Sequence, residues 1–173
     1  SLTVFENVAF PLRERTSLDK AAIRERVLRE LDLVGLEGAE NKYPAELSGG
    51  MAKRAALARA LVTSPEIMLF DEPTTGLDPV IVLAIHELIA RMHARLGFCG
   101  LIVSHEVPGI FPYVQKVALV YEGAIRFFGT PAEIFAARDP VVREFIRASL
   151  PPPEYASLPP PADGTGVQGD KTL

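Results

Sequence analysis

Tryptophan is absent from this 173-residue chain, cysteine occurs once and histidine three times. The single Cys99 has no partner for a bridge within the chain, which excludes a disulfide-stapled scaffold. It is expected to be a buried thiol at a strand start. His86 and His93 lie seven apart on one predicted helix, with no cysteine or matching acid to complete a metal site, so they read as surface or packing residues. No uncharged run reaches 18 apolar residues, so no segment reads as a helix that spans a bilayer. No signal-peptide pattern is read, and a cytosolic setting is the expectation. An excess of positive charge is also lacking. Lys and Arg number 18 against 22 Asp and Glu, a net charge of −4, which argues against nucleic-acid binding by bulk charge. No internal repeat is found.

What is present fits a folded α/β protein. The apolar fraction is 48% and the charged fraction 23%, ordinary values for a globular chain. The length predicts one domain or part of one. The first residue is Ser1, and Thr3 to Val8 already reads as the interior of a structured segment, so the chain is expected to be part of a longer protein. Residues 151–173 contain six prolines and three glycines. Pro151–Pro153 and Pro159–Pro161 favour extended polyproline II. That segment is read as a disordered tail, too poor in apolar surface to offset its ordering entropy.

Between these ends, apolar residues at helical and strand periods alternate. Thr16-Ser17 precedes a helical face of Ile23, Val27, Leu31 and Val34, stopped by Gly35. An Ala-rich helix is expected over about 51–62, ended by Ser64-Pro65. Ile67-Met68-Leu69-Phe70 and Leu101-Ile102-Val103 read as strands buried on both faces. A helix from Pro79 to Leu96 separates them. Val117–Tyr121 and Ala124–Phe127 flank Glu122-Gly123 as a hairpin, with Phe127-Phe128 packing it. Thr130-Pro131 and Asp139-Pro140 each start a short helix. The pattern argues a mostly parallel sheet.

Four places carry chemistry. Asp71-Glu72 follows a hydrophobic strand, where ligands sit in open α/β sheets. Adjacent carboxylates repel, so a cation or a task is expected beside them. Asp71 fits a Mg2+ position of the Walker B pattern and Glu72 a general base, although solvated acids at a strand end fit as well. Leu47-Ser48-Gly49-Gly50 opens a helix whose free N–H groups suit a phosphate, although in isolation Ser48 as a plain cap with flexible glycines is the favoured reading. His105 directly follows the second strand and could contact a phosphate oxygen. Asp78 in the turn after Gly76 reads as a helix cap that could also serve a site.

Taken in order, Leu47-Ser48-Gly49-Gly50, Asp71-Glu72, Leu77-Asp78 and His105 resemble the second half of an ATP-binding-cassette (ABC) ATPase. The resemblance covers roughly residues 1–148. Ser48, Gly49 and Gly50 match its signature, Asp71 its Walker B acid, Glu72 its catalytic glutamate, Asp78 its D-loop and His105 its switch histidine. Arg54, Ala58, Arg59 and Ala60 match the helix behind the signature. Met51 stands where most members carry Gln. LSGGMAKR (Leu47 to Arg54) and SLTVFENVAFPLR (Ser1 to Arg13) look like the subgroup that powers phospholipid transport with Mce proteins, also known for organic-solvent tolerance.

The resemblance implies the C-terminal part of a P-loop NTPase fold over 1–150. A helical signature subdomain would occupy about 10–63, a core about 64–150, and the tail 151–173. It implies ATP and Mg2+ as cofactors, a head-to-tail second ATPase subunit, a transmembrane permease subunit, and Mce-domain and small regulatory subunits, but no nucleic acid. It implies a peripheral place on the cytoplasmic face of the inner membrane. Glu72 and His105 would be catalytic, Asp71 would hold the metal, and Ser48, Gly49, Gly50 and Asp78 would serve the nucleotide. The 173 residues contain no G-x-x-x-x-G-K-[ST] phosphate loop, which the resemblance places before Ser1. Gly164 to Thr172 is a decoy, with one residue too many and Asp170 where phosphate would lie. Two rival readings are a soluble ABC ATPase of DNA maintenance, disfavoured by the lack of sustained heptads, and a non-catalytic interaction fragment.

Overall fold

The structure is a computed structural model that describes residues 2–150. The Pro-rich segment read as a tail lies outside the described residues. The chain divides into two compact units, one running to His105 and one starting at Glu106.

In the first unit, α1 (Val4–Arg15), α2 (Lys20–Leu33) and α3 (Gly49–Leu61) precede β1 (Ile67–Asp71), α4 (Pro79–Leu96) and β2 (Cys99–Val103). Each helix begins on a side-chain cap. Thr3 and Glu6 form a reciprocal capping box on α1, Asp19 caps α2, Ser48 caps α3 and Asp78 caps α4. The α2 start therefore lies at Asp19, later than the Thr16-Ser17 signal, because Thr16 instead closes α1 by donating its hydroxyl to Leu12. Gly97 ends α4 in the left-handed conformation that a side chain resists.

The helices share one core. Val8 and Leu12 of α1, Val27 and Leu31 of α2, Ala58 and Leu61 of α3, and Ile85 and Met92 of α4 are all buried. Strands β1 and β2 pair in parallel, with Ile67 opposite Cys99 and Asp71 opposite Val103. Side chains alternate between the two faces of such a pair. Met68 is buried and Phe70 and Ile102 pack on the core. The opposite face is open: Ile67, Leu69, Leu101 and Val103 are 68%, 75%, 60% and 55% exposed. The expected burial on both faces thus holds for one face only, because no described element covers the other. Cys99 is exposed, not buried, since it opens β2 at that edge.

In the second unit, β3 (Val117–Tyr121) and β4 (Ala124–Gly129) form an antiparallel hairpin, followed by α5 (Pro131–Phe135) and α6 (Pro140–Ser149). Glu122 and Gly123 both have positive φ, the geometry of a tight two-residue turn. A bulge near Leu119 and Val120 leaves Arg126 outside the register. Arg126 bonds Asp139 at 2.7 and 3.0 Å, while the other Asp139 oxygen caps α6. Phe127 is half-buried and Phe128 exposed, so only the first of the pair packs the hairpin.

Candidate functional site

The parallel register sets the site. Because Asp71 lies opposite Val103, the residues that leave the two strand ends emerge side by side. Glu72 follows β1 and donates its backbone N–H to the Val103 carbonyl at 3.0 Å. Its φ is +46°, a left-handed conformation uncommon for a residue with a side chain. That turn brings the Glu72 carboxylate to His105, with Oε1 2.8 Å from the ring Nδ1. The Thr75 hydroxyl donates to Oε2 at 2.8 Å. The His105 bond, and after it the Thr75 bond, hold the Glu72 carboxyl below the usual carboxylate range. A carboxylate at Glu72 can only accept, so the pair is a hydrogen bond in the tautomer that carries a proton on Nδ1.

Asp71 is exposed and shares the open face of β1 with Ile67 and Leu69. Asp71 offers an oxygen ligand of the kind Mg2+ takes, while both Glu72 oxygens are held by Thr75 and His105. Among the described residues no group of three or more His, Cys, Asp or Glu that could hold a metal ion is found.

The start of α3 is exposed at Ser48 and Gly49 and buried at Gly50. Ser48 accepts the Met51 N–H at 3.3 Å. In an α-helix the first N–H groups, here those of Gly49 and Gly50, have no carbonyl of their own helix to meet, and they sit at the positive end of the helix dipole. The two glycines also answer a packing need. A Cβ on Gly50 would lie 2.7 Å from Ile81 Cγ2, and one on Gly49 would lie 3.0 Å from Leu77 Cδ2. The turn that bears Asp78 and the first turn of α4 therefore lie directly against the start of α3. Asp78 accepts from Val80 and Ile81 N–H, each at 3.1 Å.

The structure thus joins Glu72 to His105, places Asp71 next to them in sequence, and packs Gly49 and Gly50 against the Asp78 turn. Ser48 and Asp78 are engaged as helix caps. Two further residues touch Glu72 and were not foreseen. Thr75 could have been read from its place three residues on in a Gly-containing turn. Lys53, whose Nζ donates to the Glu72 carbonyl at 3.1 Å, left no local signal, because its partner lies across the fold.

The family model described as ABC transporter matches residues 1–75. A probable ribonucleotide transport ATP-binding protein of Mycobacterium leprae is 42% identical over 146 residues, covering 84% of this chain and 42% of that protein. The intermembrane phospholipid transport system ATP-binding protein MlaF of Escherichia coli is 40% identical over 145 residues, 84% of this chain and 54% of its own length. The chain belongs to the ABC transporter ATP-binding family. The Haemophilus influenzae MlaF is 39% identical over 158 residues, 91% of this chain and 60% of that protein. CbiO1 of Clostridium perfringens, part of the ABC transporter complex cbiONQ, matches in structure with a TM-score of 0.73 at 33% identity. That match covers 87% of this chain and 59% of CbiO1. The α/β architecture is accordingly that of an ABC ATPase. The chain spans about half the length of the curated relatives it matches.

Proposed function

We propose that the chain is the signature and Walker B portion of an ATP-hydrolysing ABC subunit that drives phospholipid transport. The observation that carries the reading is the Glu72–His105 bond at the ends of β1 and β2, directly after Asp71. The open apolar face of β1–β2 and the coverage of about half of each relative support a larger nucleotide-binding domain, of which residues 1–150 are part. The MlaF relatives and the sequence LSGGMAKR support phospholipid as cargo. The Mycobacterium leprae relative is named for another substrate, so cargo needs its own test.

In this reading Asp71 would hold Mg2+, and Ser48 with the N–H groups of Gly49 and Gly50 would receive the γ-phosphate of ATP carried by a second, head-to-tail subunit. Mg2+, when bound, neutralises charge on the phosphate oxygens. Glu72 accepts the proton of the attacking water as general base. His105 orients the Glu72 carboxylate through Nδ1 and contacts the γ-phosphate. Asp78 links the two active sites through the turn packed on Gly49 and Gly50. The partners are a second ATPase subunit, a transmembrane permease subunit, and Mce-domain and regulatory subunits. No described helix is long and apolar enough to cross a membrane. As a transporter's ATPase subunit the chain would sit peripherally on the cytoplasmic face of the inner membrane.

The test uses the full-length subunit with its permease in vesicles of defined phospholipid. Glu72→Gln keeps ATP binding and loses about 10²–10⁴-fold in turnover, the range of a general base. Asp71→Asn weakens the Mg2+ dependence itself. Ser48→Arg leaves ATP binding intact and blocks the closed dimer. Glu72→Gln at more than about a tenth of the wild-type rate removes Glu72 as the base. ATP-dependent movement of a labelled phospholipid supports the cargo, and its absence in an ATPase-active complex removes it.

A further inference from the structure

We infer that Lys53 is a positioning residue: reaching from α3, it holds the Glu72 carbonyl, and with it the left-handed turn that aims the Glu72 carboxylate at His105. This inference rests on the reading of Glu72 as the base.

Glu72 is gripped at four points. Its N–H goes to the Val103 carbonyl, its carbonyl accepts from Lys53 Nζ at 3.1 Å, and its two carboxylate oxygens meet His105 and Thr75. Three of these partners lie on β2, just past β2, or in the turn that follows Glu72. Lys53 alone comes from α3. Its side chain is half-buried, and its ammonium bonds the neutral carbonyl. Glu72 also precedes Pro73, and a residue before proline favours negative φ and extended backbone. At φ +46° Glu72 is far from that preference. The Val103 bond fixes only the N-terminal side of the residue. The orientation of the peptide plane on its C-terminal side is fixed by what the carbonyl bonds, and that partner is Lys53. Without it the backbone can relax toward the extended form, and the carboxylate leaves His105.

The experiment measures steady-state ATP hydrolysis by the full-length subunit in its transporter complex. The variants are Lys53→Met, Lys53→Arg, Glu72→Gln and Lys53→Met with Glu72→Gln. Lys53→Met keeps the stem and removes the donor. It should lower kcat by about tenfold or more with KM for ATP within about twofold, as a misaimed catalytic group does. Lys53→Arg, which keeps a donor and the charge, should restore most of the rate. In the Glu72→Gln background Lys53→Met should cost nothing further, because Lys53 acts through Glu72. A general folding loss would persist in that background, and a persistent loss overturns the inference, as does an unchanged rate in Lys53→Met alone. Crystal structures of wild type and Lys53→Met supply a readout independent of catalysis. The expected change is a negative φ at Glu72 and an opened bond to His105, and an unmoved Glu72 overturns the inference. If Glu72→Gln itself retains the rate, the base assignment falls, while the crystallographic comparison still decides whether Lys53 sets the turn.

Discussion

Glu72 Oε1 and His105 Nδ1 meet at 2.8 Å across 33 residues of sequence. The contact follows from strand pairing. Once Asp71 faces Val103 in a parallel ladder, the next residues of both strands share one end of the sheet, where α/β proteins gather their chemistry. Glu72 reaches the histidine by turning left-handed, so the pair depends on a backbone state as much as on side chains.

Loss of the imidazole should therefore act on the rate rather than on ATP capture. In the full-length subunit, His105→Ala leaves the Thr75 bond on Oε2 but frees Oε1. The expected outcome is a fall in turnover of about tenfold to a hundredfold, the scale of a misplaced catalytic group, with ATP affinity nearly unchanged. Equilibrium nucleotide binding measured beside steady-state turnover checks this. A loss confined to affinity would show that His105 serves binding and not the aim of Glu72.

Gly50 offers a test of packing against phosphate binding. A helical Gly→Ala change ordinarily favours the helix by about 1 kcal/mol. Here the new Cβ would meet Ile81 Cγ2 at 2.7 Å. Overpacking of that kind costs about 1–3 kcal/mol, so Gly50→Ala should lower the unfolding midpoint despite its propensity. Ile81→Ala removes the colliding methyl, and the double variant should lose less stability than the sum of the two single changes. Additive losses in chemical denaturation would mean that the cost of Gly50→Ala does not come from the Ile81 contact.

Much of this was legible in the sequence because the signals were local. Pro79 behind Asp78, Gly97 after Leu96, and the Thr130-Pro131 and Asp139-Pro140 starts each act within one turn of chain, and each marks an observed helix end. The first helix escaped notice although Thr3 and Glu6 form a capping box, because Pro11 lies inside it and reads as a breaker. The strands were legible in place but not in burial. An apolar run such as Ile67–Phe70 states what a strand can bury, and the neighbours that cover it come from elsewhere. Asp71, Glu72 and His105 stood out by type and position at strand ends. Lys53 did not, since a lysine on a helix reads as a solvated charge until the fold brings a carbonyl to it.

Glu30 gives the pH dependence. It is buried on α2, Oε1 lies 3.7 Å from Arg29 Nε, and among the described residues Oε2 has no hydrogen-bond partner. Burial raises its carboxyl above the ordinary 4.5, against the opposing pull of Arg29, Arg26 and Arg95. The folded state then binds the proton more tightly than the unfolded state does. Stability from this group is fully present below the unfolded value and is lost as pH rises through the folded one. Above the ordinary carboxyl value the fold therefore penalises the ionised form of Glu30. Glu30→Gln keeps the shape, removes the charge and titrates nowhere. The variant should gain thermal midpoint over wild type at pH 7, and the gain should vanish as both are taken below the ordinary carboxyl value of 4.5. Unfolding followed by circular dichroism across that pH range measures it. A midpoint for Glu30→Gln below wild type at pH 7 would show that attraction to the three arginines outweighs the burial.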